Sequence, residues 1–207
     1  MRVVAALGGN ALLERGERPD SDIQQVHIAQ AARARAPLAR QHQLVITHGN
    51  GPPVGLLAME SARDDALTHP YPLDVLGAQT QGMIGYWLLQ ELQNCGAGKP
   101  VACLVSRTLV SAADPAFGRP TKFVGPVYDE ARARELGAAR GWQMRQDGAA
   151  WRRVVPSPEP AELLDLPAIS LLLGSGAIVA CSGGAASRSR RTRRGCCGAR
   201  RPSWTRT

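Results

Sequence analysis

The sequence predicts an α/β fold with an open, mainly parallel sheet covered by helices. The apolar run Val3 to Leu7 ends in Gly8-Gly9, and the run Leu44-Val45-Ile46 ends in His48-Gly49-Asn50-Gly51; each leads on to a helical stretch. Strand, glycine turn and helix repeated in that order is the pattern of a parallel sheet with helical crossovers. A third apolar run, Ala177 to Cys181, also ends in glycine, at Gly183-Gly184, and 207 residues with 44% hydrophobic side chains suffice for one α/β domain with a full core.

Val3 to Leu7 reads as a buried first strand, because it is a nearly continuous apolar run. A helix is expected from Ile23 to about Gln41, with Pro37 kinking or ending it. Leu44 to Thr47 forms the second strand. A long helix follows over Leu73 to Asn94, apolar on most faces from Met83 to Leu89 and closed by Cys95-Gly96. Within it Gln79-Thr80-Gln81-Gly82 has two readings, a set of functional polar groups or a close helix crossing at Gly82. Val101 to Val105 makes the third strand. Residues 106–160 change character: β-prone pieces alternate with Asp114-Pro115, Gly118-Arg119-Pro120, Gly125-Pro126 and Asp147-Gly148, the last inside a hairpin. This stretch reads as a subdomain inserted into the core. Glu162 to Leu173 suggests a helix, and Ala177 to Cys181 the fourth core strand.

Charge is unevenly placed. Of the net +8, eight arginines and no acid lie in residues 186–207, and the rest balances at 17 basic and 17 acidic side chains. A nucleic-acid reading therefore rests on that tail alone. The five cysteines have no C-x-x-C spacing and the four histidines no metal-ligand spacing, so no structural metal is expected. No apolar run is long enough for a membrane span and no signal segment opens the chain, which makes a cytoplasmic location the expectation.

Glycine turns at strand ends lend themselves to phosphate, since the backbone can approach closely and helix dipoles favour negative charge. A tight turn without ligand is the other reading of any one of them. None matches a Walker or G-x-G-x-x-G pattern. The chain has only two lysines, Lys99 and Lys122. Lys122 lies in a turn-rich setting, either reaching an anion or simply solvated.

Five motifs in order resemble carbamate kinase, of the amino-acid kinase superfamily: Gly8-Gly9-Asn10-Ala11-Leu12, His48-Gly49-Asn50-Gly51-Pro52, Gln81-Gly82-Met83-Ile84-Gly85-Tyr86, Pro120-Thr121-Lys122 with Gly125-Pro126, and Arg153-Val154-Val155-Pro156-Ser157-Pro158. The resemblance runs from residue 1 to about Gly184. It implies a three-layer αβα sandwich with a lid-like subdomain, in which residues 1–185 form the N-terminal part of the kinase domain. It also implies reversible phosphoryl transfer between ATP and carbamate, as in arginine fermentation. By position, Gly8, Gly9 and Asn10 with Gly49, Asn50 and Gly51 would cradle carbamate and the phosphoryl group. Lys122 would neutralise phosphoryl charge, with Asn10 and Asn50 as further catalytic groups, and Gly183 and Gly184 would face the nucleotide. Mg2+ would enter with ATP or ADP, and a homodimer is expected. Another amino-acid kinase, acting on acetylglutamate, glutamate or a nucleotide, and a non-enzymatic nucleic-acid-binding product are the alternatives. Pro37, Pro53 and Phe123 depart from the family pattern.

After Gly184 the resemblance stops. Codons for the family's Gly-Gly-Ile-Pro-Val, read one base later, encode Ala-Ala-Ser-Arg-Ser, which is residues 185–189, and a later Val-Val-Asp-Lys-Asp becomes Ser203 to Thr207. Residues 186–207 are thus expected to be an out-of-frame, disordered tail replacing the nucleotide half. That leaves an exposed edge at Ala177 to Cys181 and weak or absent activity.

Overall fold

The computed structural model describes residues 1–14 and 16–183, and the backbone of three strand pieces at 186–187, 190–191 and 197–198. The main sheet contains β1 (Arg2–Leu7), β2 (Gln43–His48), β3 (Val101–Cys103) and the strand Ile178–Cys181, in the order β1, β2, Ile178–Cys181, β3. All its pairings are parallel, with Leu7 opposite His48 and Thr47 opposite Cys181. The helices α1 (Ser21–Gln41) and α3 (Leu73–Asn94) cover one face, and α2 (Gly51–Arg63) leaves the end of β2. One core cluster joins Leu7, Leu44, Ile46, Ile178 and Ala180 to Ile28 of α1 and to Ile84, Leu88 and Leu92 of α3. On the other face Val45, Val179 and Cys181 pack against Ile169 and Leu173 of the helix Leu166–Gly174. The three-layer αβα arrangement is therefore present.

Four expectations are corrected. Ile178–Cys181 is a central strand, not an edge, because β3 pairs with its far side. β1 is an edge strand, and its apolar run is only half buried: Val3, Ala5 and Leu7 face the core while Val4 is 63% exposed. α1 runs on through Pro37, whose ring is exposed, so the carbonyl deprived of its helical donor faces water. The segment expected as a helix from Glu162 begins instead as a strand, Pro160–Leu163, and turns helical only at Leu166.

The inserted stretch contributes β4 (Thr108–Val110), β5 (Lys122–Tyr128), α4 (Glu130–Arg140), β6 (Met144–Asp147) and β7 (Ala150–Val155), followed by β8 (Pro160–Leu163), α5 (Leu166–Gly174) and β9 (Ile178–Cys181). β6 and β7 form the expected hairpin across Asp147 and Ala150, and β5 completes an antiparallel sheet ordered β5-β7-β6. α4 was not expected. Its signals are local: the Asp129 carboxylate accepts from Arg132 N at 2.7 Å, Glu130 pairs with Arg134 one turn on, and Gly141 closes it at φ +63°. The expectation for residues 186–207 falls mostly outside the described residues; within them, β10 (Ala186–Ser187) pairs with β4, and β11 (Arg190–Arg191) with β12 (Cys197–Gly198).

Candidate active site

The carboxyl ends of β1, β2, β9 and β3 all open on one edge of the sheet, where the glycine turns lie. Gly9–Ala11 forms a single 3-10 turn directly after β1, and α2 starts at Gly51 directly after β2. The two turns touch. A Cβ on Gly49 would stand 3.1 Å from Gly9 N and 3.4 Å from Gly9 Cα, so only glycine lets the backbones meet this closely. Gly49 N–H donates to Leu7 O at 2.7 Å and is spent on that join. Gly9 and Asn10 open the 3-10 turn, and Asn50 and Gly51 open α2; their amide N–H groups have no acceptor among the described residues. Pro52 and Pro53 bring no N–H of their own, and α2 passes through both because first-turn donors lack helical partners anyway.

The two asparagines differ. Asn10 is exposed, whereas Asn50 is buried and donates through Nδ2 to Thr80 Oγ1 at 3.0 Å. Thr80 Oγ1 donates in turn to Gly77 O at 2.8 Å. The polar step on α3 thus holds the Asn50 side chain through Thr80. The close approach expected at Gly82 lies one turn on, at Gly85, where a Cβ would collide with Cys103; Gly82 itself is open.

A second buried network joins the remaining strand ends. Gln81 Oε1 accepts from Ser106 N at 2.9 Å and from Ser106 Oγ at 3.1 Å, and Gln81 Nε2 donates to Ser106 O at 3.1 Å. Ser106 Oγ accepts from Ser182 N at 2.7 Å, which holds Ser182 at φ +59°, in the left-handed region uncommon for serine. Gly183 then packs on Gln81 and on the ring of His48; a Cβ there would lie 2.8 Å from His48 Nε2. This contact explains the glycine at 183 without a nucleotide. Gly184 lies outside the described residues.

Sequence reasoning passed over His48, Ser106 and Ser182. His48 stood inside the motif, but it was weighed only as a metal ligand. Its ring is 5% exposed, and burial pushes its pKa down, partly offset by the bond to Gly49 O. Cys103 and Cys181 have raised pKa values because they are buried, so both remain thiols near neutrality.

Of the two lysines, Lys99 Nζ donates to His42 O at 2.8 Å. Lys122 is exposed, and its ammonium has no partner among the described residues. It opens β5 opposite Val155, so the Pro120–Lys122 and Arg153–Pro158 motifs lie on neighbouring strands. β5 docks on α2 at a second backbone contact: a Cβ on Gly55 would stand 2.9 Å from Gly125 Cα, and Gly125 has φ +72°. Gly55 is one helical turn beyond Gly51, which fixes the lysine-bearing strand to the helix that carries the cradle. No group of three or more His, Cys, Asp or Glu among the described residues could hold a metal ion, and no helix among them is long and apolar enough to cross a membrane.

No protein-family model matches the chain. Individual relatives do. The carbamate kinase of Rhizobium meliloti (strain 1021) is 52% identical over 185 residues, 89% of this chain and 57% of that protein. That of Escherichia coli (strain K12) is 52% identical over 182 residues, 88% of this chain and 61% of its own length. The carbamate kinase from Giardia lamblia, solved bound to citric acid, superposes with a TM-score of 0.85 at 36% identity, covering 96% of this chain and 66% of that one. Over the matched residues the chain is homologous to these carbamate kinases. It spans about three fifths of the length of the curated carbamate kinases it matches. The carbamate kinase from Giardia lamblia bound to AMP-PNP also superposes, with a TM-score of 0.80. Those relatives are named for phosphoryl transfer, and the touching glycine turns lie where an α/β sheet presents its ligands.

Proposed function

We propose that these residues form the carbamate and phosphoryl half of a carbamate kinase, an enzyme that transfers a phosphoryl group reversibly between ATP and carbamate. One observation carries the reading: two glycine turns meet backbone to backbone at the ends of β1 and β2, with amide donors from both that have no acceptor among the described residues. Phosphoryl transfer needs little covalent help from the protein. It needs the reactants aligned and the charge on the equatorial oxygens offset. Here Gly9, Asn10, Asn50 and Gly51 supply fixed N–H donors, Gly49 allows the approach while a Cβ on Gly8 would meet nothing within 4 Å, and Thr80 holds the Asn50 side chain. Lys122 brings a positive charge from the inserted strand sheet, which we assign as a lid over residues 106–160 of a kinase domain spanning 1–185.

ATP or ADP would bring Mg2+ with it, a hard cation bound mainly by phosphate and water, in keeping with described residues that offer amides and no cluster of metal ligands. The same reading assigns Gly183 and Gly184 to the nucleotide. Residues 184–207 contain no lysine and no acid, so weak turnover by this chain is expected. A homodimer and a cytoplasmic location belong to the same reading.

The test is saturable binding of carbamoyl phosphate to the chain, measured beside ATP formation from ADP and carbamoyl phosphate. Binding that weakens in Asn50→Ala and Lys122→Ala supports the assignment. Absent binding, or a preference for acetylglutamate or glutamate, overturns it.

A further inference from the structure

His48 ends β2, and its ring stands between two of the strand-end turns. Nδ1 lies 3.0 Å from Gly49 O, and a carbonyl can only accept, so Nδ1 carries the proton. Nε2 is then a bare acceptor. It is buried, has no hydrogen-bond partner among the described residues, and faces Gly183, where a Cβ would stand 2.8 Å away. The ring is 5% exposed.

The bond to Gly49 O has a geometric consequence. In a trans peptide the carbonyl and the next N–H point in opposite directions, so holding Gly49 O toward the imidazole turns the Asn50 N–H away from it. Asn50 N–H is one of the amides assigned above to the phosphoryl group. On the ring's other side, Gly183 follows Ser182, whose left-handed backbone depends on Ser106 and Gln81. A single neutral ring thus touches the turn after β2 and the turn after β9.

We propose that His48 is a positioning residue for the glycine cradle, working as the neutral Nδ1–H imidazole, and that uptake of a second proton at Nε2 disassembles the cradle. The ligand part rests on the phosphoryl-site reading. The proton comes from solvent and adds to the Nε2 lone pair, where the N–H formed has no acceptor, and the new charge no counter-ion, among the described residues. To find either, the ring has to leave Gly183, taking the Gly49 peptide with it. Among the described residues no charge offsets it: Leu7, paired with His48 across β1, is apolar, Gln81 of α3, which meets the ring at Gly183, is neutral, and Cys181 of β9, opposite the neighbouring Thr47, is a protonated thiol. The Gly49 carbonyl raises the ring's basicity, but burial outweighs it.

The experiment uses the 207-residue chain labelled with nitrogen-15 and sulfate as the probe, because sulfate stays a dianion between about pH 7.5 and about pH 5.5 and adds no titration of its own. Long-range ring spectra are expected to show Nδ1 protonated and Nε2 bare. The Gly49 and Gly183 amide signals are expected to follow the ring's titration, and sulfate affinity to fall about tenfold per pH unit below the ring's own pKa. His48→Asn places an amide N–H near the Nδ1 position without a titrating group, so it is expected to bind sulfate at neutral pH and to lose that pH dependence. An Nε2–H tautomer, Gly49 and Gly183 signals indifferent to the ring, or an unchanged pH profile in His48→Asn overturns the proposal. The first two are read on the unaltered chain, so they decide it even if the variant fails to fold. No sulfate or carbamoyl phosphate binding at any pH overturns the phosphoryl-site reading instead, and the two amide signals still decide whether His48 positions the turns.

Discussion

Replacing Gly49 by alanine separates the cradle's function from its stability. The new Cβ would stand 3.1 Å from Gly9 N and 3.6 Å from Gly8 C, both backbone atoms that have no rotamer to yield. Ordinary contacts begin at about 3.4 Å, so the turns must part by about 0.3 Å. The φ of Gly49 is not in the left-handed region, so alanine brings no backbone strain. Its smaller unfolded-state entropy stabilises the fold by about 0.4–1 kcal/mol, and crowding costs about 1 kcal/mol or slightly more, which leaves a net change within about 1 kcal/mol. Binding is hit harder. The Cβ sits on the Gly9 amide, and one hydrogen bond to a charged oxygen contributes about 1.5–3 kcal/mol, so carbamoyl phosphate affinity is expected to fall at least about tenfold. Calorimetric titration gives the affinity and a urea melt the stability. Affinity within about twofold of the parent, with an unchanged melt, would show that the Gly9 amide does not meet the ligand.

Lys122→Ala is expected to leave the urea midpoint unchanged, since the side chain is exposed and unpaired, while lowering carbamoyl phosphate affinity about tenfold or more. Gln81→Leu strands Ser106 N and O in a buried setting and is expected to cost about 2–4 kcal/mol in the same melt, with faster amide exchange at Ser182. Stability is also expected to fall on acidification. Because the folded pKa of His48 is lowered, the unfolded chain takes up a proton near its ordinary value of 6.5 that the native ring refuses. Stability is therefore full above that value, declines as pH falls toward the folded pKa, and levels off below it. Melts across that range should show the slope, and His48→Asn should remove it. Asp165, held low by Arg107, acts only below its ordinary 3.8 and does not share this window.

The sequence by itself determined the α/β alternation, the glycine turns and the hairpin around Asp147-Gly148. Those features are written in neighbouring residues: apolar runs that must be buried, glycines that permit a turn, and a family pattern kept in order. It did not determine which apolar runs lie at the edge. Val4 and Val179 belong to similar runs, yet one is exposed and the other fully buried, because strand order is set by pairing between residues far apart in the chain, such as Val45 with Val179 and Val101 with Ile178. α4 was missed because its polar composition hides its apolar period, leaving only its caps as signals. The site divides the same way. Gly8, Gly9, Gly49 and Asn50 are legible as motif residues, but that Gly49 touches Gly9 is a fact of the sheet. So is the role of His48. Only β9 and α3, arriving from far along the chain, bury its ring, leave Nε2 without a partner and bring Gly183 against it.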